Sequence, residues 1–166
     1  MASALLITGG NSGEVVQHLA KALQLLEQHA GRITAVSGLY KTPAWGFEAP
    51  DFHNQAVELE TRLTPHQLLE AIHKVERAVG RDRTAEAAER LTSGQRYASR
   101  PIDIDIILYD EQRIDSPQLT IPHRAMAERR FVLEPLAEIA PQRRHPATGL
   151  TVAEMLERLN RNEKGE

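Results

Sequence analysis

The stretch from Ser99 to Asp110, SRPIDIDIILYD, reads as a buried strand with two charges set into it. Ile102, Ile104 and Ile106 alternate with Asp103 and Asp105, and successive side chains of a strand point to opposite faces. The isoleucines therefore share one face and the two aspartates the other. Carboxylates about 6.6 Å apart along one strand face repel unless something positive relieves them. Hard cations bound through oxygen suit such a pair. Magnesium typically takes one or two carboxylates and completes its shell with water and substrate phosphates. A solvent-facing strand edge is the bland alternative; Arg100 just before the pair and the apolar flank point instead to a metal-phosphate site.

A chain of 166 residues, 41% hydrophobic and 26% charged, is sized and composed as one soluble domain, 1–166. With no cysteine it has no disulfide framework, thiolate metal site or cysteine nucleophile, which fits a cytoplasmic setting. The opening MASALLITGGNSGE lacks a basic leader and reads as a strand, not a signal peptide, and no stretch approaches a membrane span. A net charge of −3 argues against a general nucleic-acid binder. Arginine nevertheless outnumbers lysine 16 to 4, with 10 arginines between Arg77 and Arg130. Their planar forks of donors suit phosphate oxygens, although a solvated arginine-rich surface would look the same.

SALLIT reads as a buried strand and GGNSG as a turn. Val15, Val16, Leu19, Leu23 and Leu26 recur at helical spacing before Gly31. Residues 32–40 suit a second strand, KTPAWGFEAPD a loop, and 52–63 a further strand. Thr64-Pro65-His66-Gln67 starts a helix with a capping box and proline at its first position, and the helix runs to Gly80. After a polar, arginine-rich stretch comes the strand at 101–109, then a turn into a short strand near Arg113-Ile114. LTIPH is extended, 125–129 suits a short helix, and Thr151-Val152-Ala153-Glu154 opens a C-terminal helix with a second capping box. The order β-α-β-β-α-β predicts an α+β, ferredoxin-like sandwich: a mainly antiparallel sheet with helices on one face and the other free for a ligand.

Other motifs are weaker. The glycine turn fits neither a dinucleotide fingerprint nor a Walker A sequence and suits a tight turn better than a phosphate cradle. No two of the seven histidines stand at H-x-x-x-H spacing. Trp45, in a glycine-proline loop, suits stacking on a flat ring as well as core packing.

Together LYKTPAWG (39–46), FHNQAVELET (52–61), SRPIDIDIILYD (99–110), LTIPH (119–123), RRFVLEPLAEIAP (129–141) and HPATGLTVAEML (145–156) resemble the hydroxymethyl-dihydropterin pyrophosphokinases of folate synthesis. The resemblance covers nearly the whole chain. It implies an ATP-dependent transfer of pyrophosphate to the pterin hydroxymethyl group, leaving AMP, with two Mg2+ ions relieving the repulsion of Asp103 and Asp105. Arg83, Arg100, Asp103 and Asp105 would be the catalytic set. Thr42, Pro43, Trp45, Phe52, Asn54 and Phe131 would bind the pterin. His73, Glu76, Arg81, Arg83, Tyr97, Arg100, Ile106, Thr120, His123 and Arg129 would bind ATP. The implied protein is a monomer acting on two small molecules, with no nucleic-acid or membrane partner. The chain departs from the family pattern at GGNSGE, His73, Tyr97, Gln118 and the long 83–97 segment, whose residues 84–96 are expected to act as a lid. A catalytically inactive nucleotide- or pterin-binding module is the alternative function. An RNA-binding sheet fits poorly, because only 4% of residues are aromatic.

Overall fold

The computed structural model describes residues 1–11, 14–42, 51–80 and 102–163. Strand β1 (Ala2–Gly10) leads into helix α1 (Val15–His29), then β2 (Arg32–Val36), β3 (Tyr40–Thr42), β4 (Phe52–Thr61), helix α2 (Pro65–Val79) and β5 (Asp103–Tyr109). The antiparallel sheet runs β2-β4-β1-β5. β2 pairs the second half of β4 and β3 its first half, so the two lie end to end along one edge. Apart from that division this is the ferredoxin-like β-α-β-β-α-β order. A separate ribbon joins β6 (Ile114–Asp115) to β7 (Thr120–Ile121). Helices α3 (Arg130–Ile139) and α4 (Val152–Glu163) complete the fold, with a single 3-10 turn at Met126–Glu128 before them.

Local chemistry accounts for the ends of these elements. At α2 the Thr64 hydroxyl accepts from the Gln67 amide at 3.3 Å, and the Gln67 side chain accepts from the Thr64 amide at 3.0 Å. Thr151 and Glu154 repeat the exchange at α4, at 3.1 and 2.9 Å. Gly31 follows α1 where the backbone of β4 passes: a Cβ there would sit 2.1 Å from the Glu60 carbonyl oxygen. Glycine is required by that approach.

The structure corrects the expectation of a free sheet face. Ala4, Leu6, Val57, Leu59, Ile104 and Ile106 pack against α1 and α2. Leu5, Ile7, Ala56, Ile107 and Leu108 form a second core with Val132, Leu133 and Leu136 of α3 and Val152 and Met155 of α4. The molecule thus has three layers. The physical reason lies in the unbroken apolar runs of β1 and of IILY in β5, since a strand buried on both faces does not alternate. A register shift in the β1–β5 ladder between Leu5 and Leu6 lets Ile107 and Leu108 both join the second core.

Three further expectations change. Gly9 and Gly10 belong to β1 and not to a turn. The strand expected over 32–40 is interrupted at Ser37–Leu39. Helix α3, with Pro135 inside it, is not among the helices the sequence predicts.

Candidate active site

Antiparallel register shows which side chains share a face, because directly opposed residues project to the same side. Gly9 of β1 lies opposite Asp103 on one side and Asn54 on the other, and Tyr40 lies opposite Asn54. Asp105 lies opposite Ile7, and Thr42 opposite Phe52. Thr42, Phe52, Asn54, Asp103 and Asp105 therefore occupy one face, on the side covered elsewhere by α3 and α4. The covering helices leave the aspartate end of that face partly accessible: Asp103 and Asp105 are half-buried, while Leu108 is fully buried.

At the centre of the row stands Gly9. A Cβ there would come within 2.6 Å of the Asn54 side-chain oxygen and 3.0 Å of the His53 carbonyl. Its missing side chain is thus the space that Asn54, only 7% exposed, occupies. Phe131 reaches the second core from the start of α3, and the Arg129 guanidinium stands 5.6 Å from its ring centroid. That distance suits a cation–π contact.

β5 is an edge strand: among the described residues it pairs β1 alone. Its outer side is met by α2 and by the segment that follows β7. Glu76 of α2, 1% exposed, accepts from the Ile104 amide at 2.9 Å, the residue between the two aspartates. On the same edge the His123 amide donates to the Ile107 carbonyl at 3.0 Å. By the alternation of an antiparallel ladder, Ile106 turns its main chain toward this edge while its side chain packs toward α1 and α2. The His123 imidazole accepts from the Ala125 amide at 3.2 Å. Burial holds its pKa below the usual histidine value, the Arg129 charge adds to that, and Asp103 opposes it.

The candidate residues therefore divide by place. Thr42, Phe52, Asn54, Asp103 and Asp105 line the sheet face, with Phe131 and Arg129 at the rim of α3. Glu76, Ile106 and His123 meet along the outer edge of β5. His73 is half-buried on α2, and Thr120 lies in β7 opposite Asp115. Pro43, Trp45, Arg81, Arg83, Tyr97 and Arg100 lie outside the described residues, as does the 84–96 segment. Sequence reasoning missed Gly9, whose signal was a glycine pair at the end of an apolar strand facing an asparagine.

Among the described residues no three histidine or acidic side chains cluster to hold a metal. The donor set is accordingly not that of an all-protein cage. It still fits magnesium arriving with a polyphosphate, because two carboxylates on a half-buried face supply the protein's share of oxygens.

The chain matches the family model for 7,8-dihydro-6-hydroxymethylpterin-pyrophosphokinase over residues 5–141. It is 41% identical over 162 residues to a 2-amino-4-hydroxy-6-hydroxymethyldihydropteridine pyrophosphokinase of Methylorubrum extorquens, covering 96% of this chain and 95% of that one. A protein of the same name from Bacillus subtilis is 40% identical over 147 residues, covering 87% and 82%. The Folate synthesis bifunctional protein, mitochondrial, of pea is 38% identical over 132 residues, covering 79% of this chain and 24% of its own. Among solved structures, wild-type HPPK-DHPS of Plasmodium falciparum superposes with a TM-score of 0.74 at 17% identity. That match covers 100% of this chain but 45% of the longer one, so the chain spans under half of that protein. At such identity the likeness concerns the fold.

Proposed function

The chain belongs to the 7,8-dihydro-6-hydroxymethylpterin-pyrophosphokinase family, and from that premise we propose that it works as these enzymes are named to work. It transfers pyrophosphate from ATP to 6-hydroxymethyl-7,8-dihydropterin, yielding AMP and the pterin pyrophosphate, in folate biosynthesis. The hydroxymethyl oxygen attacks the β-phosphorus of ATP and loses its proton. The bond from that phosphorus to the α,β-bridging oxygen breaks, and AMP leaves with the electron pair.

The observation that carries this reading is the single sheet face shared by Asn54, Phe52, Asp103 and Asp105. Phosphoryl transfer asks for positioning and charge neutralisation more than covalent catalysis. Asn54 would hydrogen-bond the polar edge of the pterin, while Phe52 and Phe131 would meet its flat ring. Asp103 and Asp105 would hold two magnesium ions, which when bound offset charge on the triphosphate. Glu76 would keep the aspartate strand in place through Ile104. Glu76, Ile106 and His123 at the edge of β5, with His73 of α2, Thr120 of β7 and Arg129 beside α3, would address the nucleotide. Arg81, Arg83, Tyr97 and Arg100 would complete its contacts, with Arg83 and Arg100 catalytic; Pro43 and Trp45 would close the pterin side.

Residues 1–166 act in this reading as one pyrophosphokinase domain, a cytoplasmic monomer with neither nucleic acid nor membrane as partner. No helix among the described residues is long and apolar enough to cross a membrane. The test is AMP formation from ATP and the hydroxymethyl pterin, with and without magnesium. AMP that appears only when both magnesium and pterin are present supports the reading. No AMP above a blank lacking protein would overturn it.

A further inference from the structure

We infer that Glu138 of α3 is a positioning residue for the pterin side of the site, holding β3 in register with the strand that carries Phe52 and Asn54. The inference rests on the pterin reading above. β3 is three residues long, lies at the outer edge of the sheet and pairs β4 alone among the described residues. A ladder that short is marginal by itself in water. Yet it sets the site, because Tyr40 lies opposite Asn54 and Thr42 opposite Phe52.

The chain is fastened upstream at Ser37. Its amide donates to the Ala56 carbonyl at 2.9 Å, its hydroxyl accepts from the Ala56 amide at 2.8 Å, and its carbonyl accepts from the Gln55 side chain at 2.9 Å. Past Ser37 the chain leaves the ladder until Tyr40; the Ser37 hydroxyl donates to the Gly38 carbonyl at 2.8 Å, and one carboxylate ties the gap to α3. Glu138 Oε2 accepts from the Gly38 amide at 3.0 Å, and Glu138 Oε1 accepts from the Tyr40 hydroxyl at 2.7 Å. Hydrogen bonds to an ionised acceptor are the stronger kind. The link is also felt by the phenol, whose pKa is raised to about 12, first of all by its hydrogen bond to Glu138. Tyr40 can reach α3 because it projects from the same face as Asn54. The neighbouring Glu134 is engaged instead with Arg130 at 3.3 Å.

Glu138 acts through β3, so its removal should weaken one substrate and spare the other. Steady-state AMP formation is measured on the full chain for wild type, Glu138→Ala, Glu138→Gln and Tyr40→Phe, varying pterin and ATP separately. Glu138→Ala is expected to raise the pterin KM about tenfold, the scale of losing a hydrogen bond to a charged group. The ATP KM and kcat should stay unchanged. Glu138→Gln, which keeps one acceptor oxygen, should recover part of the loss, and Tyr40→Phe should show part of it. Amide exchange at Gly38 should quicken in Glu138→Ala while the amides of β1 keep their protection. An unchanged pterin KM would overturn the inference. So would an equal rise in both KM values with faster exchange across the sheet, which would mark Glu138 as a stability residue only. If wild type itself forms no AMP, the pterin reading has failed and this inference falls with it. If wild type is active and the variants match it, the inference alone has failed.

Discussion

Gly9 and Asn54 show how one missing side chain builds one present one. The space beside Gly9 is filled by the Asn54 side chain, so Gly9→Ala must push that oxygen from a 2.6 Å approach or shift the His53 backbone. Overpacking of this sort costs about 1–3 kcal/mol. We expect Gly9→Ala to lower pterin affinity while ATP affinity, measured alone, barely moves. Asn54→Ala should do the same, by about 1–3 kcal/mol, because a polar ring edge is left unpaired. Isothermal titration with each ligand separately checks both, and equal losses for ATP would mean that the pair supports the sheet instead. The aspartates behave differently, since their charge would serve the cation-dependent step. Asp103→Asn or Asp105→Asn should nearly abolish turnover and weaken magnesium-dependent ATP binding, with the far-ultraviolet circular dichroism of the folded protein retained. Near-normal turnover in either variant would remove the two-metal assignment. The shared face of Asp103 and Asp105 was legible from alternation alone, and so was that of Phe52 and Asn54. That these two pairs lie on the same face was not, because register between distant strands leaves no mark in either segment.

Elements announce themselves when their ends carry side-chain chemistry. Thr64-Gln67 and Thr151-Glu154 are both capping boxes, and both helices were read from those four residues. Helix α3 has no such signal. It starts after Arg129 without a side-chain cap and contains Pro135, which ordinarily argues against a helix interior. Here Pro135 falls in the second turn of a ten-residue helix and is buried, while Val132, Leu133 and Leu136 seat the helix in the second core, so packing outweighs the lost hydrogen bond. The box at α4 also gives a pH dependence. The Thr151 amide, then its hydroxyl, hold the Glu154 carboxyl below its usual value of 4.5. The unfolded chain therefore takes up this proton first as pH falls. Stability from the box is full above the usual carboxylate value and is lost as pH drops through the folded one. Glu154→Gln keeps the acceptor oxygen but not the charge. Urea unfolding at pH 6 and pH 3 should show it less stable than wild type at pH 6, with the gap closing at pH 3. A constant gap would place the effect elsewhere. Thr151→Ala should cost about 1 kcal/mol at pH 6, as for other threonine caps, and less at pH 3, because its hydroxyl is one of the groups that lower the Glu154 carboxyl.

At the scale of the whole molecule, the sheet belongs to two cores at once, and that sharing governs how the fold comes apart. Residues Ala4 to Ile7 of β1 alternate between the α1–α2 layer and the α3–α4 layer, and β5 contributes Ile104 and Ile106 to one and Ile107 and Leu108 to the other. The unbroken run ALLI carried this information: four consecutive apolar residues leave no face for water. The run reads as a buried strand, yet the ferredoxin-like order predicts one open face, and only the aspartate end of β5 fits that expectation. Leu5 and Leu6 are neighbours in the chain, both fully buried, and point into opposite layers. Leu5→Ala and Leu6→Ala should each cost about 2–5 kcal/mol, the range for a leucine removed from a packed core. Because neither layer can lose the sheet and keep its own core, both variants should unfold in one transition. Loss of helix seen by far-ultraviolet circular dichroism and of tertiary packing seen by near-ultraviolet circular dichroism should then coincide in each. A separate early transition in Leu5→Ala, with α1 and α2 still formed, would show that α3 and α4 are an independently melting cover. The site would feel that difference directly, since Phe131 and Glu138 stand on α3 while Asn54 and both aspartates stand on the sheet. In a single cooperative unit, pterin binding should raise the midpoint of both signals together. With a separable cover, it should raise the midpoint of the early transition first.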